Sequence, residues 1–162
     1  MKKISLLIVL LVGLLVFTGC GTKVENVEGS LKDIMDKIYT DVYTDVPEEE
    51  RPMLGDVDVL TDTPDNIEYY IGTKDIEYSE IYAREPMMGS IAYSVVLVRM
   101  KDGADIEAAK TKIAETVNPR KWICVEVAKE DVIVKNKGDL IILIMVKDEA
   151  TRTKIEQGFD NL

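Results

Sequence analysis

Seven consecutive apolar residues, Leu140-Ile141-Ile142-Leu143-Ile144-Met145-Val146, do most to limit what this chain can build. A strand turns successive side chains to opposite faces, so a run without a polar position exposes neither face to water. Such a strand belongs in the middle of a sheet that is covered on both sides. Asn136-Lys137-Gly138 stands just before it and reads as a hairpin turn back to a shorter strand, Val132–Val134.

The covering layers are visible as helical patterns. Leu31, Ile34, Met35, Ile38, Tyr39 and Val42 fall on one helical face, with Ser30 as a cap and Asp33 in the favourable first turn. Asp105–Val117 is a second helix, turning Ile106, Ala109, Ile113, Ala114 and Val117 inward and ending at Asn118-Pro119. Asp148 caps a last helix that carries Ile155 and Phe159.

Two further extended segments stand between the first two helices. Ile76–Arg84 alternates, with Tyr78 and Tyr82 on one face, and Ser90–Met100 is a stronger strand. Pro86-Met87-Met88-Gly89 separates them. Asp41–Glu68 holds ten acids against the single base Arg51 and is punctuated by Pro47, Pro52, Gly55 and Pro64, which leaves room only for short elements such as a helix over Asp65–Ile71. Trp122–Glu130 fits neither period well and reads as extended or irregular. The expected fold is α+β, a mostly antiparallel four-stranded sheet with packed helices in the order α-ββ-α-ββ-α.

The amino-terminal residues carry a different kind of information. Lys2 and Lys3 precede an almost wholly apolar run, Ile4–Phe17, which is shorter than the roughly 20 residues of a membrane-spanning helix. A basic start, a short apolar core and small residues after it describe a secretory signal. Phe17-Thr18-Gly19-Cys20 resembles the lipobox of bacterial lipoproteins, whose cysteine receives a diacylglycerol and becomes the new amino terminus. The chain then divides into a signal peptide (1–19), a flexible tether (20–29) and a single α+β domain (30–162). The expected location is the extracytoplasmic face of the cell membrane, with Cys20 as the lipidation site and the membrane as a partner through that lipid.

Removing residues 1–19 takes away two bases and no acid, so 18 bases face 30 acids and the formal charge moves from −10 to −12. A surface of that sign repels phosphate backbones, which argues against nucleic-acid partners. Histidine is absent, which removes His-based triads and dyads and His-ligated metal sites. Cys124 is the only cysteine besides Cys20, so no disulfide forms once Cys20 is lipidated, and its apolar neighbours suggest a buried hydrophobe. Asp56, Asp58, Asp62 and Asp65 invite a calcium reading, but Leu60, Thr61 and Ile67 stand where the EF-hand template needs other residues, and a solvated acidic loop is the simpler account. No catalytic residue, metal site or cofactor is expected.

Met87 and Met88, with Tyr78 and Tyr82, form the candidate ligand or partner surface. Adjacent methionines can make an adaptable binding lip, although one of such a pair commonly fills the core. Tyrosines suit binding surfaces but also pack beneath helices.

Glu85-Pro86-Met87-Met88-Gly89-Ser90 and Pro119-Arg120-Lys121-Trp122-Ile123-Cys124-Val125-Glu126 resemble a lipoprotein family of Gram-positive bacteria known only as the domain of unknown function numbered 4358. The resemblance runs from about the first helix to Val146. It implies a small secreted α+β domain on a lipid anchor and assigns no functional residue. The leading expectation is a non-enzymatic binding module for an envelope protein or cell-wall component. A carboxylate-dependent cell-wall hydrolase is the alternative, and a solute-binding lipoprotein of a transporter stands third.

Overall fold

The computed structural model describes residues 26–162. Cys20 and the Ile4–Phe17 run lie outside them. Five antiparallel strands form one sheet in the order β1-β2-β3-β5-β4: β1 (Leu54–Asp58), β2 (Tyr78–Pro86), β3 (Tyr93–Met100), β4 (Ile133–Lys137) and β5 (Leu140–Val146). The helices are α1 (Leu31–Ile38), α2 (Val59–Asp62), α3 (Ile67–Ile71), α4 (Ile106–Thr116) and α5 (Glu149–Asp160).

The apolar heptapeptide is β5, and all seven of its residues are buried. It pairs with β3 over Tyr93–Arg99, so the two most apolar strands occupy the middle of the sheet. Alternation sends Ile141, Leu143 and Met145 to one face, under α2, α3, α4 and Trp122. Leu140, Ile142, Ile144 and Val146 go to the other, under α1 and α5. The three longest helices start as the side chains dictate: Ser30 accepts the Asp33 N–H, Asp105 that of Ala108 and Asp148 that of Thr151.

The expectation of four strands is corrected by β1, which lies inside the acidic middle and pairs with β2 from Leu54↔Pro86 to Asp58↔Tyr82. Gly55, Asp56 and Asp58 are poor strand formers, which hid the element. Its formation follows from the length of β2, whose nine residues offer a second ladder, and from half-burial of Leu54 and Val57. The β4–β5 turn is also displaced from the expected position. Asn136 and Lys137 belong to the strand, and Gly138-Asp139 make a two-residue turn with Gly138 at φ +57.

One end of the sheet receives the chain. Arg99 donates to the carbonyls of Val27 (2.9 Å) and Gly29 (2.8 Å), and Asn26 Oδ1 accepts the Asp139 N–H at 3.2 Å. Residues 26–29, expected to be free tether, therefore lie against the domain. The opposite end, about 25 Å away along the eight residues of β3, is the tip of the β2–β3 hairpin.

Candidate functional site

The unusual features of the molecule gather at that tip. Among the described residues five large apolar side chains are exposed: Met53, Tyr69, Met87, Met88 and Ile123. Met87 and Met88 are 67% and 53% exposed, so neither fills the core. Backbone bonds draw Met53 and Ile123 toward them: Met87 N–H donates to Met53 C=O at 2.9 Å, and Ile123 N–H to Gly89 C=O at 2.7 Å. Isolated exposed hydrophobes are ordinary, whereas a contiguous group marks a surface that meets something. Cys124 follows Ile123 at φ +60, a left-handed conformation that non-glycine residues seldom adopt, and its side chain is exposed. The expectation that Cys124 is buried is corrected: the turn aims it outward while Trp122 and Val127 carry the burial.

Directly beneath the tip lies a buried polar cluster. Glu85 on β2 and Ser94 on β3 face each other across the ladder, and Ser94 donates to Glu85 Oε1. The loop after α4 lowers Lys121 onto both. Its ammonium donates to Glu85 Oε1 at 2.8 Å and to Ser94 Oγ at 3.1 Å, and its side chain is 2% exposed. The rings of Tyr69, Tyr70 and Trp122 surround it, with Tyr69 at 4.3 Å from the nitrogen. Burial pushes the Lys121 pKa down, and the Glu85 carboxylate offsets part of that shift. Glu85 Oε2 and Trp122 Nε1 are buried without a protein partner.

A lysine beside a serine is one arrangement that can activate a nucleophile without histidine. Here Ser94 is fully buried and its proton is directed to Glu85. The cluster is built to pin the 119–127 loop across the sheet, and with it the position of Ile123 at the tip. Composition does not reveal it, because Glu85 and Lys121 stand 36 positions apart and no local pattern joins them.

The other face of the same end holds a second cluster. The hydroxyls of Tyr39 and Tyr43 meet that of Tyr93 at 2.6 and 3.1 Å. Arg84 lies 4.5 Å from the Tyr39 ring centroid and grips Asp56 through Nε and Nη2 at 2.6 and 2.7 Å, with Asp36 at 2.7 Å. Burial works against the Arg84 charge, but the two aspartates outweigh it and raise its pKa. Burial pushes the Tyr39 and Tyr93 hydroxyls well above the ordinary tyrosine value. Three hydroxyls joined by two hydrogen bonds leave one proton over, which a polar guest or water can accept. The hydroxyls line two neighbouring clefts, of about 560 and 710 Å³, which share Tyr43 and Pro52.

Of the four residues expected to share a surface, only Met87 and Met88 do so. Tyr78 and Tyr82 pack on opposite faces of the sheet. A register shift between Tyr78 and Glu80 inserts Ser79 as an extra residue and reverses the alternation, which corrects their expected common face. The acids read as a possible calcium loop serve local roles instead. Asp56 holds Arg84, Asp58 caps α2, and Asp62 accepts the Asp58 N–H. Among the described residues no group of three acids or cysteines is placed to hold a metal ion, and no helix is long and apolar enough to cross a membrane.

The two stretches that carry the family resemblance, 85–90 and 119–126, meet in space through the Lys121–Glu85 and Ile123–Gly89 contacts. Compared with family models, with curated proteins and with solved structures, the chain matches none.

Proposed function

We propose that this chain is an extracytoplasmic lipoprotein, anchored through Cys20, whose domain binds a protein partner at the β2–β3 tip and performs no chemistry of its own. The observation that carries this reading is the convergence of Met53, Met87, Met88 and Ile123, exposed together at the end of the sheet opposite the one that receives the chain. Methionines give a pliable apolar contact that adapts to a partner's shape.

Geometry favours a protein over the membrane as the occupant of the tip. Five residues lie between Cys20 and Asn26, and the six steps from one to the other, fully extended, reach about 20 Å. That is short of the sheet's length, so a lipid on Cys20 does not let the domain stand with its tip pointing into the bilayer.

Two measurements test the proposal. Fatty-acid labelling is expected to vanish in Cys20→Ala, and undiminished labelling would remove the anchor. A photo-crosslinking residue at position 88 or 123 is expected to give the same discrete protein adduct in cells that make the protein, while one at Lys101, at the far end, gives none. The adduct from position 123 is expected to be lost when Met87→Ser and Met88→Ser are combined. Equal adducts at 101, or none at 88 and 123, would overturn the tip as the partner surface.

A further inference from the structure

Among the described residues, strand β1 is the last on its side of the sheet. Met53 C=O accepts the Met87 N–H, and antiparallel ladders alternate, so residues 53, 55 and 57 turn their backbone groups toward β2. Leu54, Asp56 and Asp58 turn theirs outward. The Asp62 carboxylate already takes the Asp58 N–H at 3.0 Å, which closes one end of the edge. Leu54 and Asp56 remain directed to the side where no further strand lies. The same two residues line the cleft of about 560 Å³, together with Tyr39, Tyr43 and Arg84. A strand laid against β1 would therefore set every second side chain over that cleft, the arrangement by which sheet edges recognise extended peptides.

We propose that the β1 edge receives an extended basic segment of the partner, which pairs with the backbone of Leu54 and Asp56 and seats alternate side chains in the Tyr39–Tyr43 cleft. The inference rests on the reading of the domain as a protein-binding module and names the form the partner takes.

Charge selects the occupant. Asp56, Asp58 and Asp62 border the edge and Glu48–Glu50 form a turn just before it; of the two cations lining the cleft, Arg84 is taken up by Asp56 and Asp36, and Arg51 donates to the Val46 carbonyl. Lysine or arginine on the incoming strand would meet carboxylates, and a cation over a tyrosine face gains further. A second copy of this chain would bring its own Asp56 and Asp58 to the edge, acid against acid.

The test uses the full chain in detergent and a blocked hexapeptide of alternating Lys and Val. With the peptide at ten times its dissociation constant, amide exchange at Leu54 and Asp56 is expected to slow about tenfold. The Glu–Val counterpart, and a Lys–Val peptide with every backbone nitrogen methylated, are expected to leave exchange unchanged. No slowing with the first peptide, or equal slowing with either of the others, would overturn the proposal. The Met87→Ser, Met88→Ser double variant separates the two readings. Slowing that persists in that variant, when the chain with both methionines intact gives no adducts at 88 and 123, removes the tip and keeps the edge. Adducts at 88 and 123 without slowing at 54 and 56 remove the edge alone.

Discussion

Lys121 shows how much one side chain can decide in a small domain. Removing its ammonium leaves Glu85 buried with Ser94 as its only donor, and breaking a buried pair costs about 3–5 kcal/mol. Lys121→Met is therefore expected to lower urea-unfolding stability by that amount. Lys121→Met combined with Glu85→Leu is expected to recover most of it, because the stranded charge is gone. A double-mutant cycle that shows simple additivity would contradict the pairing. Asp148 acts at smaller scale. Bonds from Thr151 hold its pKa below the ordinary 3.8. A depressed carboxyl stabilises the fold above the unfolded pKa and loses that contribution as pH falls through the folded one. Asp148→Ala is expected to cost about 1 kcal/mol at neutral pH, and the gap from the parent should close as pH drops below 4.

Elements differ in how far the sequence declares them. β5 was legible because apolarity on both faces admits one setting, and α1 because its apolar period and its Ser30 cap agree. β1 was not, because its stability comes from a ladder with a distant partner while its own composition of glycine and aspartate argues against a strand. The bulge at Ser79 was equally silent, and it alone moved Tyr78 and Tyr82 to different faces. The tip was half legible: Met87 and Met88 could be named, but what reaches them from Ile123 depends on a loop pinned by Lys121. Helix packing gives a sharper expectation. A Cβ on Gly158 of α5 would stand 2.3 Å from the Ile38 carbonyl of α1. Gly158→Ala is expected to destabilise by about 1–3 kcal/mol through forced separation of the two helices, read from thermal unfolding. Gly103→Ala has open space but φ +81, so a smaller cost of about 1 kcal/mol follows from backbone conformation alone.

At the scale of the molecule, the two cores and the proposed recognition tip are separated along the sheet. The two cores flank β3 and β5, whereas the exposed methionines add little to either. Met87→Ser with Met88→Ser is expected to shift unfolding free energy by no more than about 0.5 kcal/mol, the usual range for surface changes. A larger loss would show that the tip supports the fold rather than a partner. The proposed attachment at one end and contact at the other would also have a mechanical consequence. Tension between residue 26 and the tip runs along β3 and β5, so their ladder bonds are loaded side by side in shear and not opened one at a time. The first links to yield are the Asn26–Asp139 bond and the two that Arg99 makes to Val27 and Gly29. Their release would pay out four residues, about 14 Å of slack, before the core feels the pull.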